Sequence, residues 1–270
     1  MEDLEATIRR LLQRKVQEDR VRWLDDYSNR LKDRYERTGN LEDLEAAILY
    51  AKTALKAIPE DHPNRAAYMN NLGDRLGTRY ERTGSLDDLE AAINYAQRAL
   101  KGTPEDDPNR VGLLNNLGKH VSSRYDRTGN MEDLEAAISH AQTAVKAIPG
   151  GHPQCVLSLS NLGKYVHSRY ERAGDLEDLE AAIKHVQTAV KAIPDDHPHR
   201  AMLMSNLGIS FSTRYERIGN LEDLEAAITH AETAVNATPE HHPGWPIRLG
   251  NLGNYLRRRY ERAGGPGGRY

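Results

Sequence analysis

The sequence predicts an all-α solenoid of helical hairpins, and three observations predict it. The stretch RYERTGNLEDLEAAI at 34–48 recurs almost letter for letter at 79, 124, 169 and 214. Tyr35, Tyr80, Tyr125, Tyr170, Tyr215 and Tyr260 are each 45 residues apart, so no insertion or deletion separates the first from the last. Within each period, apolar residues fall twice at helical spacing, divided by a glycine and bounded by prolines. A constant period of this size marks supersecondary units that bury their apolar faces against neighbouring copies.

Residues 65–109 represent the unit. Met69, Leu72, Leu76 and Tyr80 are spaced by three, four and four, one face of a first helix, A. Gly84 supplies the left-handed residue that ends it. Ser85 is placed to cap a second helix, B, with Asp88 as the third residue of a capping box. Leu86, Leu89, Ala92, Ile93, Ala96, Ala99 and Leu100 form the stripe of B, and its alanines predict close helix approach. Pro104 stops B, and Pro108 suits the first turn of the next helix A. The expected organisation is one solenoid over 1–270 with about twelve helices. It comprises a partial copy at 1–19, full repeats at 20–64, 65–109, 110–154, 155–199 and 200–244, an unpaired helix A at 245–264 and a tail at 265–270.

Here the chain resembles the tetratricopeptide repeat family. Leu72-Gly73, Ala92, Ala96, Ala99 and Pro104 have that motif's spacing, and the resemblance covers nearly the whole chain. It departs in its 45-residue period, against 34 in the motif, and in lacking the motif's tryptophan (Met69) and aromatics (Leu76, Ala96). DHPNRAAYMNNLG and DDPNRVGLLNNLG are similar to the long repeats of kinesin light chains, and to arrays attached to caspase-like or signalling-ATPase domains, often in fungal proteins. The resemblance implies a right-handed superhelix whose A helices line a concave groove that binds peptides or partner proteins.

Composition narrows the function classes. The chain has 270 residues, 38% hydrophobic and 29% charged, with a net charge of -3. No basic stripe favours nucleic acid or an anionic membrane, and no apolar run is long enough to span a bilayer. The expectation is a soluble cytoplasmic protein, which the single cysteine, Cys155, also fits. Cys155 stands where most copies carry Arg, so it reads as a substitution and not as a nucleophile. Arg34, Glu36, Arg37, Asp43 and Glu45 surround the A-to-B turn and read as structural ion pairs. His140, His185 and His230 share one helix-B position, but copies roughly 10 Å apart cannot share a zinc ion. His62, His152, His197 and His242 precede prolines and read as helix caps, with EHHPGW at 240–245 a weak metal candidate. No phosphate loop or nucleophile-base-acid set is present, so no enzyme, metal or cofactor is expected.

Binding residues are sought where copies differ. Opposite the buried side of helix A lie Ala67, Asn71, Asp74 and Thr78. The third position varies through Asn29, Asp74, Lys119, Lys164, Ile209 and Asn254, and the fourth includes Ser123 and Ser168. Asn71, Asn116, Asn161, Asn206 and Asn251 stay constant, with Asp26 in the first copy. Such a row either holds the backbone of an extended peptide or bonds from one helix A to the next. Lys119, Lys164 and His167 place positive charge in the middle copies, between Asp25, Asp26, Asp33 and Asp74 at one end and Arg248, Arg257 and Arg258 at the other. An acidic side chain or carboxylate is therefore the ligand expected at the middle copies. At the ends, Leu4, Ile8, Leu11 and Leu12 of a helix-B-like stretch, and Leu249, Leu252, Leu256 and Tyr260 of a helix A without its B, suggest head-to-tail association into a homo-oligomer.

Overall fold

A computed structural model describes residues 2–148, 155–242 and 244–263, with side chains described from residue 15 onward. The chain forms two compact units, Met1–Gly129 and Asn130–Tyr270. Unit 1 holds α1 (Glu2–Thr38), α2 (Leu41–Ala57), α3 (Arg65–Thr83), α4 (Leu86–Lys101) and α5 (Arg110–Thr128). Unit 2 holds α6 (Met131–Lys146), α7 (Cys155–Ala173), α8 (Leu176–Lys191), α9 (Arg200–Ile218), α10 (Leu221–Asn236) and α11 (Trp245–Arg262). In unit 1, α1/α2 and α3/α4 are A/B hairpins, with α2 on α3 and α4 on α5; in unit 2, α7/α8 and α9/α10 are hairpins, with α6 on α7, α8 on α9 and α10 on α11. A helices also touch their counterparts, α3 with α5, α7 with α9 and α9 with α11.

The described residues thus form eleven helices, where about twelve are expected from the sequence. The missing boundary lies near residue 19, inside α1. Residues 1–8, MEDLEATI, match LEDLEAAI at 41–48 with an offset of 40, not 45, so five residues of the inter-repeat loop are gone. The prolines that bound this loop in the next copy, Pro59 and Pro63, have no counterpart in residues 9–19, and with no helix breaker the helix runs through. The side chains of Leu4, Ile8, Leu11 and Leu12, together with His152 and the tail, lie outside the described residues.

The recurring stretch builds the hairpin joint. Gly39, Gly84, Gly129, Gly174 and Gly219 adopt φ of 69–79°, and each amide donates to the carbonyl of the tyrosine four residues back at 2.7 Å. The caps of helix B form as the sequence predicts: the Asn40 side chain accepts from the Glu42 amide, and Ser85 Oγ from the Asp88 amide. The reciprocal half of the capping box does not form. The Ser85 amide donates to Thr83 Oγ1 instead, while the Asp88 carboxylate takes both arms of Arg79 at 2.7 and 2.6 Å. A bidentate guanidinium is the stronger partner for a buried carboxylate. Arg34 with Asp43, Arg169 with Asp178 and Arg214 with Asp223 repeat this bolt between A and B. Arg169 also reaches Glu135 in the preceding helix B at 3.1 Å, as Arg124 reaches Glu90 at 3.0 Å. The charge cluster of the repeat is therefore structural.

Small residues set the helix spacing. A Cβ on Gly73 would stand 3.1 Å from the Ala92 carbonyl oxygen, and one on Gly208 3.3 Å from that of Ala227. In the first copy Ser28 takes this place, fully buried, with its Oγ donating to the Ala47 carbonyl at 2.7 Å. The facing Ala47, Ala92, Ala137, Ala182 and Ala227 have no exposed surface. His62, His197 and His242 close the turns before their A helices, each Nδ1 accepting from the amide two residues on at 3.0–3.1 Å.

Candidate functional site

The varied stripe of the A helices is the candidate site, and each unit carries its own stretch of it. In unit 1 the asparagines bond sideways. Asn71 Nδ2 donates to Asp25 at 3.3 Å, and Asn116 Nδ2 to Asn70 Oδ1 at 3.0 Å, each spanning from one helix A to the one before. Arg75 lies under this row, 1% exposed, donating to the Asn71 carbonyl and to Asn29 Oδ1, both at 2.6 Å. Burial pushes its pKa below the ordinary arginine value. Lys32 bridges Glu36 at 2.6 Å and Asp74 at 3.2 Å, and Lys119 pairs with Glu81 at 2.9 Å. His120, 2% exposed, fills the niche that Gly77 leaves: a Cβ there would stand 2.7 Å from its Nδ1. Burial holds the His120 pKa down at about 4. Ser123 is half-buried on the same stripe.

In unit 2, Asn206 Nδ2 donates to Ser160 Oγ at 3.3 Å, again across to the preceding helix A, and Asn161 and Asn251 are half-buried. Between α7 and α9 lies a pocket of about 190 Å³. Lys164, His167, Ser168, Glu171, Asn206 and Ser210 give its polar lining, while Gly163, Val186 and Ile209 give the apolar part. His167 is not on open surface, as the sequence suggests. It is 7% exposed, with Nδ1 3.1 Å from Ser210 Oγ and a buried Nε2 without a hydrogen bond, 3.6 Å from Glu171 Oε1. His167 holds the Glu171 carboxyl below the usual carboxylate range. Farther along, Arg258 bonds Ser212 Oγ at 2.7 Å and pairs with Glu216, and burial pushes the Tyr255 pKa up to about 12.

Of the predicted site residues, the structure brings together Lys164, His167, Ser168 and Asn206. Asp74 and Lys119 share a second, charged hollow in unit 1 with Lys32, Glu36 and Glu81. On α11, Leu249 and Tyr260 are exposed while Leu252 and Leu256 are half-buried. The pocket lining also includes Gly163, Glu171, Val186 and Ser210, which the sequence does not single out, and Ile209, which it places in the varied series. Val186 replaces the Ala51, Ala96, Ala141 and Ala231 of the other copies, and that departure was its signal. Glu171 and Ile209 are 38 residues apart, as are Glu81 and Lys119, so the signal was a broken pair.

Glu171, His167 and Ser210 have the composition of a hydrolytic triad. The amides around Ser210 are inside α9 and committed to its helical bonds, so no donor pair faces an oxyanion there. The arrangement provides hydrogen-bonding and charge complementarity to a bound group. Among the described residues no cluster of three or more His, Cys, Asp or Glu is placed to hold a metal ion, and no helix is long and apolar enough to cross a membrane.

Stacked α-hairpins with a fixed packing face and a varied outer face define a helical-repeat protein. Residues 65–109 match the tetratricopeptide repeat family, and the 45-residue period carries that unit along the chain. The fold is similar to that of TTC0263, a thermophilic TPR protein of Thermus thermophilus, with a TM-score of 0.59 at 16% identity over 88% of this chain and 99% of that one. It is also similar to that of BtubC (BKLC) from P. vanneervenii, with a TM-score of 0.55 at 15% identity over 84% and 94% of the two chains. No curated protein matches the sequence. The expected tetratricopeptide-like solenoid class is thereby established, and proteins of this class generally mediate protein–protein interactions.

Proposed function

We propose that this protein is a non-catalytic scaffold that binds an extended peptide or partner segment along the outer face of its A helices. One observation carries the reading: within a fixed backbone, the outward positions change in charge and polarity from copy to copy, while those facing helix B stay small or apolar. The series Asp74, Lys119, Lys164, Ile209 and Asn254 lies over an unbroken series of buried leucines, Leu72, Leu117, Leu162 and Leu207. Packing does not require that variation, and recognition does. The asparagine row supports the reading in a modified form. Its Nδ2 groups tie A helices together, which leaves the amide oxygens of Asn71 and Asn206 to meet backbone N–H groups of a ligand. Lys119 is already neutralised by Glu81, so an acidic preference at that point is not part of this proposal. Selection of a random peptide library on the full chain tests the function. Peptides whose binding weakens in Asn71→Ala and Asn206→Ala support it, and no binder at all overturns it.

A second reading is self-association through the end faces. Trp23 is 58% exposed and stacks on Tyr27 at 5.3 Å with Tyr50 edge-on, and α11 exposes Ile247, Leu249 and Tyr260. Both are apolar surfaces of the kind that mediates association. Sedimentation across a hundredfold range of concentration decides: a constant monomer mass rejects this reading.

A further inference from the structure

The acidic position near the end of helix A has a lysine or arginine beside it in four copies, Glu261 with Arg257 among them. Glu36 has Lys32, Glu81 has Lys119 and Glu216 has Arg258. Glu171 has the His167 imidazole at 3.6 Å, beyond hydrogen-bonding range. The cause is visible in the sequence. The residue 38 positions after Glu81 is Lys119, and the residue 38 positions after Glu171 is Ile209. At the other positions that supply a cation elsewhere, four before the acid (Lys32) and 42 after (Arg258), this copy has His167 and Thr213, and Ile209 adds an aliphatic wall.

A second observation comes from His167. Its Nε2 is buried without a hydrogen-bond partner at the edge of the 190 Å³ pocket, while Nδ1 lies 3.1 Å from Ser210 Oγ. Nε2 lies 3.6 Å from Glu171 Oε1, too far for a hydrogen bond, so the carboxylate keeps its acceptor capacity at one edge of the pocket, with Ile209 and Val186 as the apolar wall. A carboxylate above an aliphatic wall complements a long side chain with an apolar stem and a donor-only, positively charged tip.

We infer that the pocket between α7 and α9 receives a lysine or arginine side chain of the bound segment, its stem against Ile209 and Val186 and its head on the Glu171 carboxylate. The inference rests on the A-helix face being the binding surface. It also reverses the acidic preference that the sequence suggests for this region. Lys164 lines the same pocket but is engaged in an interaction of its own, and it directs an incoming cation to the Glu171 side.

Library selection on the full chain, followed by affinity measurement of the recovered peptides, tests it with two variants. Glu171→Gln removes the charge at an exposed position. Ile209→Lys installs the residue that Lys119 and Lys164 occupy in other copies, which the fold accommodates, and returns a cation to Glu171. The expected result is enrichment of Lys or Arg at one peptide position in the wild type. Replacing that residue by Met, or introducing either variant, should cost at least about tenfold in affinity. Lys164→Ala should leave affinity unchanged or raise it. Recovered peptides without a basic position, or with one whose contribution persists in both variants, overturn the inference while the scaffold reading stands. Recovery of no peptide overturns both.

Discussion

The stretch of A-helix face in unit 1 and that in unit 2 are built on the same backbone and end in opposite states. In unit 1, Gly77 and His120 interlock and Lys119 meets Glu81, so niche and charge are both filled from within. In unit 2 the sizes are reversed, with His167 on the earlier helix and Ser210 on the later, and Ile209 stands in the place of the lysine. The result is a pocket with an acid that no lysine or arginine neutralises. A solenoid therefore varies its surface without varying its frame. At these two junctions a pair of positions, one on each helix A, decides whether the junction is sealed or open.

That contrast can be broken most severely at His120. The unfolded chain protonates this imidazole near its ordinary pKa of 6.5, and the folded unit protonates it only near 4. No penalty exists above 6.5; stability then falls as pH drops from 6.5 to about 4 and levels off below. The full effect is roughly 3 kcal/mol. Urea unfolding across this range, followed by Trp23 fluorescence for unit 1 and Trp245 for unit 2, should show the loss in the Trp23 signal, and His120→Gln should flatten it. Next in size is Gly77→Val, which forces side-chain atoms into His120 and should cost unit 1 about 2 kcal/mol. Adding His120→Ser, which copies the small residue at 210 in unit 2, should restore part of that loss. Asn116→Ala removes the bond to Asn70 and should cost about 1 kcal/mol, read as faster amide exchange in α3 and α5. Smallest is the exchange of the pairing residues. Lys119→Ile should lower the stability of unit 1 by a few tenths of a kcal/mol, because the pair with Glu81 is largely solvated.

Much of the fold was legible in the sequence because its signals are local. The turn glycine, the Asn or Ser cap and the alanine stripe each act within a few residues of themselves, and all form as read. The misreadings were competitions. The sequence position of Asp88 permits a cap, but Arg79, nine residues earlier, offers a stronger partner across the hairpin. Analogy with later copies predicts a helix boundary near residue 19, but the loop that makes it is five residues short.

The sequence by itself determined the helical hairpin, its 45-residue period and the stripe of helix A that is free to vary, because helical periodicity and turn chemistry are properties of neighbouring residues. Only the tertiary structure decided which polar groups on that stripe are already used. Asn116 is bonded to Asn70, Lys119 to Glu81 and His167 to Ser210, while Glu171 is left without a strong cation. Partners that lie about 40 residues apart meet only when one hairpin packs on the next. Their side chains then either neutralise one another or leave a charge and a niche for something else to fill.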